Sequence, residues 1–339
     1  MKILNGVADF ARQIFVCESL NRDISLDVLR GIAICVVVAG HALQKVYGNY
    51  PVIDARWVIL SFQMELFFGI SGYVAYLGVS GLKRKALRLM IPYALWIAMS
   101  IAYGMYTGNF DFSMPTLWRY IVVHEFWFLR ELFLVSLIWA IGTKLVGKLK
   151  KARGKIPMLL IVLVVVLLML GMSMFCQFVL GQRLLIRYCG CYAVGYAIRH
   201  LACASTMRHK LVRNGVGALA LVFPLMLIYI SAIRDWFVGT YLIGLSAICF
   251  SIWISKAISY TDNLVRSWLS FCGKESLAIY ALHWWLLFKL APLPGCIDSV
   301  PKVDKVLLVC VSWWAVILVL DAIISQSRYL RFCLLGKKI

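Results

Sequence analysis

Runs of about 20 apolar residues recur along the whole chain, and that recurrence constrains the fold more than any other feature. Each run is long enough to cross a bilayer as a helix, which satisfies its own backbone hydrogen bonds where no water is present. The expected fold class is therefore all-α, a polytopic transmembrane helix bundle of about ten helices. The spans fall near 25–46, 56–80, 88–106, 126–145, 157–179, 184–201, 214–233, 237–258, 275–291 and 305–325. Composition agrees: 63% of the 339 residues are hydrophobic and 15% charged, against about 45–50% and about 25% in soluble domains. Disordered, collagen-like and disulfide-dense secreted chains are excluded on the same figures. The eleven cysteines lie mostly inside apolar runs, with no CxxC or Cys/His spacing, so no metal is expected. Cys189-Gly190-Cys191 reads as helix packing.

The formal net charge of +20 comes from 35 Lys and Arg against 15 acids. In a soluble chain that excess would suggest nucleic acid; in this one it sets orientation. Placing both termini in the cytoplasm puts 24 cations inside and nine outside, with Arg30 and Arg130 left within spans. That bias predicts N-in and C-in. Residues 1–24 read as a cytoplasmic amphipathic segment rather than a signal peptide, because Asp9 and Arg12 interrupt any apolar core. Residues 25–325 form the transmembrane domain and 326–339 a cytoplasmic tail. The stretch Thr107–Glu125 and the loop Gly147–Lys155 are too short for an independent core, so any activity belongs to the bundle.

Ionisable side chains inside a span cost a few kcal/mol or more and mark candidate function. The first span carries Asp27, Arg30 and His41. Eleven helical steps return to within about 20° of the starting direction, so Arg30 and His41 share a face about 16 Å apart along the axis. Gly31 and Gly40 flank them and would let a backbone or ligand approach. Arg30 stays ionised and needs an anion, whether Asp27, an acid on another helix or a ligand phosphate. His41 suits a general base acting on a hydroxyl or thiol. Two readings stay open: a track for a long anionic ligand with a reactive far end, or an Asp27–Arg30 pair with His41 bonded to a neighbouring helix. Glu65 is the only acid in the second span and a candidate partner for Arg30 or His41. The segment Lys83-Arg84-Lys85-Ala-Leu-Arg88 reads as a basic cytoplasmic loop, a contact for anionic membrane lipids or a phosphate site. In the fourth span His124, Glu125 and Trp127 sit near the outer interface. Arg130 and Glu131 are adjacent, point about 100° apart, and are not expected to pair. His283 lies near mid-membrane in the ninth span, where a satisfied core histidine is the plain alternative to a ligand contact.

Taken in order, these residues resemble the acyltransferase-3 family of integral-membrane O-acyltransferases. The resemblance rests on Leu26-Asp-Val-Leu-Arg30-Gly-Ile-Ala with His41, on Glu65-Leu-Phe-Phe-Gly-Ile-Ser71-Gly72-Tyr73, and on Lys85-x-x-Arg88 before Pro92. It continues through Phe126-Trp127-Phe128-Leu129 to Ser276, Tyr280 and His283, and so covers most of the chain. The resemblance implies transfer of an acyl group, acetyl in the first instance, from cytoplasmic acyl-CoA to a hydroxyl of a carbohydrate, lipid-linked glycan or other envelope molecule. It implies a catalytic role for His41 and a donor-site role for Arg30, with Glu65 beside them. Donor binding falls on Lys83, Arg84, Lys85 and Arg88; Lys85 stands where arginine is common, giving a point charge in place of a planar fork. His124, Glu125, Trp127 and His283 are the expected acceptor-binding residues. Nothing after Asp321 could be an SGNH-type domain, so a stand-alone member of a bacterial inner membrane is expected. A transporter or flippase for an anionic solute, with Arg30, Glu65, Arg130 and His283 lining a path, is the alternative from another class.

Overall fold

The computed structural model describes residues 24–47, 54–75, 79–122, 126–151, 166–175, 185–202, 206–228, 237–285 and 301–336. All regular structure among them is α-helical. In chain order the helices are α1 (Ile24–Tyr47), α2 (Asp54–Tyr73), α3 (Val79–Tyr106), α4 (Met114–Val122), α5 (Trp127–Lys151), α6 (Val166–Phe175) and α7 (Leu185–Ala202). Then come α8 (Thr206–Ile228), α9 (Phe237–Ser259), α10 (Leu264–Lys274), α11 (Ser276–Trp285), α12 (Lys302–Ser325) and α13 (Arg328–Leu335). Four segments among the described residues are long and apolar enough to cross a membrane by themselves: Ile24–Tyr47, Gly81–Tyr106, Tyr241–Ser259 and Asp304–Ile324. Helices α4, α10 and α13 lie where the sequence suggested connections and a tail. Of the expected amphipathic segment at 1–24, residues 1–23 lie outside the described residues and Ile24 opens α1.

The chain divides into two compact units, Met1–Val74 with Cys191–Asp321 and Ala75–Gly190 with Ala322–Ile339. In the first unit α1 is the hub, packed on α10 most closely and also on α2, α9 and α11. Val28, Leu29, Ala33, Ile34, Val37, Val38 and Ala42 are all buried, so α1 is enclosed on several sides and not striped along one. The α1–α10 crossing brings backbones into contact. A Cβ on Gly31 would strike the carbonyl of Leu269, and one on Gly273 the carbonyl of Asp27. The glycine expected to admit a backbone does so; Gly40 instead admits the side chains of Gln63 and Ile59 from α2. Small residues serve the same end where Gly72 meets the Tyr192 carbonyl and Gly195 the Gly69 carbonyl. The N-terminus of α10 is capped by Asn263, whose side chain accepts from the Arg266 backbone N–H.

In the second unit α3 packs against α5, α13 and α4. Helix α13 begins at the Ser327 cap and ends at Gly336 with φ +63°, the left-handed position that glycine supplies without strain. Its last carbonyls would otherwise be orphaned. They receive hydrogen bonds from α3: Trp96 Nε1 donates to the Leu334 carbonyl at 2.9 Å and Arg88 Nε to that of Gly336 at 2.9 Å.

Candidate functional site

Within the first unit, α1 and α11 place two histidines together. The imidazoles of His41 and His283 have ring centroids 5.3 Å apart, and Trp284 meets His41 edge-on at 4.8 Å. His283 follows Ile279 and Tyr280 by one helical turn, and its Nδ1 lies 3.1 and 2.7 Å from their carbonyl oxygens. A carbonyl only accepts, so Nδ1 carries the proton and Nε2 a lone pair. His283 has no solvent exposure, and Nε2 has no hydrogen-bond partner among the described residues. Such an orphan costs about 1–3 kcal/mol, which a fold retains for a reason. His41 Nδ1 lies 3.1 Å from Gln44 Oε1, a contact that fixes the proton on Nδ1 and leaves the lone pair on Nε2. Both rings thus hold the same tautomer, each imposed by an acceptor on its own helix. The sequence reading missed Gln44 and Trp284. Gln44 was within reach of it, since positions three apart on a helix are neighbours.

Arg30 pairs with Asp27 at 3.6 Å, the intrahelical pairing that had been left open. The Arg30 side chain keeps about a third of its surface exposed, 35% against 5% for Asp27. Glu65 is buried on α2 in the same unit. Gln63, two residues earlier, is also buried, and its Oε1 has no hydrogen-bond partner among the described residues.

The remaining sequence candidates belong to the second unit. Lys83, Arg84, Lys85 and Arg88 are not in a loop: they form the first turns of α3, with Lys83, Arg84 and Arg88 exposed. Lysine and arginine are good helix formers whose apolar stems can lie along the helix while the charged ends reach water, so a charge run does not by itself end a helix. Trp127 opens α5 and stacks on Tyr188 with centroids 5.8 Å apart. His124 and Glu125 lie outside the described residues. The expectation that Arg130 and Glu131 do not pair is overturned. Arg130 Nε and Nη2 donate to Glu131 Oε1 at 3.1 and 2.6 Å. Backbone vectors 100° apart are bridged by two long side chains folding toward each other in apolar surroundings that favour the ion pair. Among the described residues no group of three His, Cys, Asp or Glu side chains is arranged to hold a metal ion.

A family model for an acyltransferase domain matches residues 23–324. The nodulation protein NolL of Mesorhizobium japonicum is 35% identical over 91 residues, covering 23% of this chain and 24% of the relative. NolL of Sinorhizobium fredii is 35% identical over 130 residues, 32% of this chain and 33% of the relative. The matched stretches therefore span a quarter to a third of the length of these curated relatives. No solved structure matches the chain.

Proposed function

The chain belongs to the acyltransferase-3 family of integral-membrane acyltransferases, and from that premise we propose that it moves an acetyl group from cytoplasmic acyl-CoA to a hydroxyl of a carbohydrate or envelope glycan. His41 is the general base. Its Nε2 takes the acceptor proton as the hydroxyl oxygen attacks the thioester carbonyl; a C–O bond forms, the C–S bond breaks, and the proton returns to the departing CoA thiolate. His283 Nε2 accepts a hydrogen bond from a second hydroxyl of the acceptor and so orients the one that reacts, a positioning contribution. Arg30 in the first unit is a donor-site residue, Lys83, Arg84, Lys85 and Arg88 in the second are candidates for the anionic nucleotide end of the donor, and Glu65 fixes the charge state around Arg30 and His41. His124, Glu125 and Trp127 serve the acceptor on the outer side. The charge bias supports both termini lying on the cytoplasmic side of a bacterial inner membrane.

One observation carries this reading: two imidazoles 5.3 Å apart, each with its proton held on Nδ1 and its lone pair on Nε2. A buried imidazole that only filled space would have its polar atoms satisfied by packing partners, and the His283 Nε2 is not. The test is transfer of label from radiolabelled acetyl-CoA to candidate glycans by the purified protein in nanodiscs. Labelled product that vanishes in His41→Ala is expected. Undiminished product in His41→Ala, or solute flux without donor and without product, overturns the assignment.

A further inference from the structure

Helix α5 holds a second buried polar group that the proposed chemistry leaves unused. Glu131 has no solvent exposure, and both of its bonds to Arg130 fall on Oε1. Arg130 is held in turn by Nη1, which donates to the Ile121 carbonyl at 3.1 Å, while the Tyr93 hydroxyl donates to the same oxygen. The pair is thus clamped from α3 and α4, yet Glu131 Oε2 has no hydrogen-bond partner among the described residues. An arginine fork ordinarily engages both carboxylate oxygens. In this pair it engages one, and the other keeps its full accepting capacity.

We infer that Glu131 Oε2, with the Trp127 ring, forms a docking site for a neutral hydroxyl-bearing ring, the carbohydrate acceptor of the reaction proposed above. The inference rests on that reading for the class of ligand. Charge selects a neutral partner. The Arg130–Glu131 pair sums to zero, and the guanidinium beside the open oxygen repels a second cation, so the missing donor is an O–H. Position selects a ring. Trp127 precedes Glu131 by four residues and so lies on the same helical face. It is partly exposed and stacked on buried Tyr188, a held aromatic surface one helical turn from a hydrogen-bond acceptor. A pyranose presents that combination, an apolar C–H face and a rim of hydroxyls.

The test is saturation-transfer NMR binding of methyl glucoside, methyl galactoside and methyl mannoside to the full chain in nanodiscs, beside acetyl transfer to the same probes. Because Glu131→Gln alone strands the buried Arg130 charge, the double variant R130M/E131Q and the separate Trp127→Ala are used, each checked by thermal melting. At least one glycoside is expected to bind wild type, and to bind tenfold or more weakly to both R130M/E131Q and Trp127→Ala. Unchanged binding in those variants overturns the site while leaving the acyltransferase reading standing. Transfer to other acceptors with no glycoside bound overturns it too. Glycoside binding that depends on Glu131 and Trp127, with no transfer from acetyl-CoA to any acceptor, upholds the site and sinks the parent reading.

Discussion

Replacing His283 by asparagine separates stability from activity in a way that depends on which ring nitrogen is orphaned. The asparagine amide N–H takes the place of Nδ1–H and can still donate to the carbonyls of Ile279 and Tyr280, now 3.1 and 2.7 Å from the ring nitrogen. What disappears is the Nε2 side of the ring, about two heavy atoms or about 35 Å³, a cavity cost of about 0.8 kcal/mol. Against it stands removal of the unpartnered Nε2 acceptor, worth about 1–3 kcal/mol, which the new amide oxygen buried near the Cδ2 position offsets in turn. The protein should therefore melt within a few degrees of the wild-type temperature. Transfer should fall by about 100-fold, the cost of a misplaced acceptor hydroxyl. His283→Gln returns an amide oxygen near the Nε2 position and should recover much of the loss through hydrogen bonding alone. The measurements are thermal melting in nanodiscs and initial rates of label transfer at saturating acetyl-CoA. A clear drop in melting temperature with unchanged turnover would refute the reasoning, because Nε2 would then be a structural contact.

Gly273→Ala drives a methyl group into the Asp27 carbonyl and should cost about 1–3 kcal/mol by overpacking, read as a lower melting temperature. Gly147→Ala, with nothing within 4 Å of the new methyl, should be neutral or stabilising by up to about 1 kcal/mol. Gln44→Leu removes the acceptor that fixes the His41 proton on Nδ1, and turnover should fall about tenfold or more while the melting temperature holds within a few degrees. Deleting residues 327–339 strips two hydrogen-bond acceptors from Trp96 and Arg88, about 1 kcal/mol each. Hydrogen exchange should then accelerate in α3 and not in α1.

The helical class and the centrality of the first span were legible because an unbroken apolar run dictates both. So was the shared face of Arg30 and His41, which helical period alone determines. The partner of His41 was not. Ser276–Trp285 lies far along the chain, and no local pattern says that α11 will pack on α1. Helix α10 escaped notice for another reason: Arg266 and Lys274 read as loop charges, while its close approach to α1 depends on Gly273 and on the backbone carbonyl of Leu269. Lys83–Arg88 were misplaced by the same habit of equating charge with a connection. For Arg130 and Glu131 the angle between Cα–Cβ directions was right and the conclusion wrong, because the reach of the two side chains exceeds the gap.

The division of the chain into two units has a consequence for biogenesis. One unit is assembled from the beginning of the chain and a late segment, the other from the middle and the extreme C-terminus. No single cut yields either as a continuous piece, and neither can close while the ribosome is still far from finishing. The early helix α1 must wait in the bilayer, with Arg30 and His41 already inserted, until α9, α10 and α11 arrive to enclose it. A premature stop just after Asp321 would spare the histidine pair yet leave α3 without α13, so the membrane's quality control would meet one complete unit and one incomplete unit.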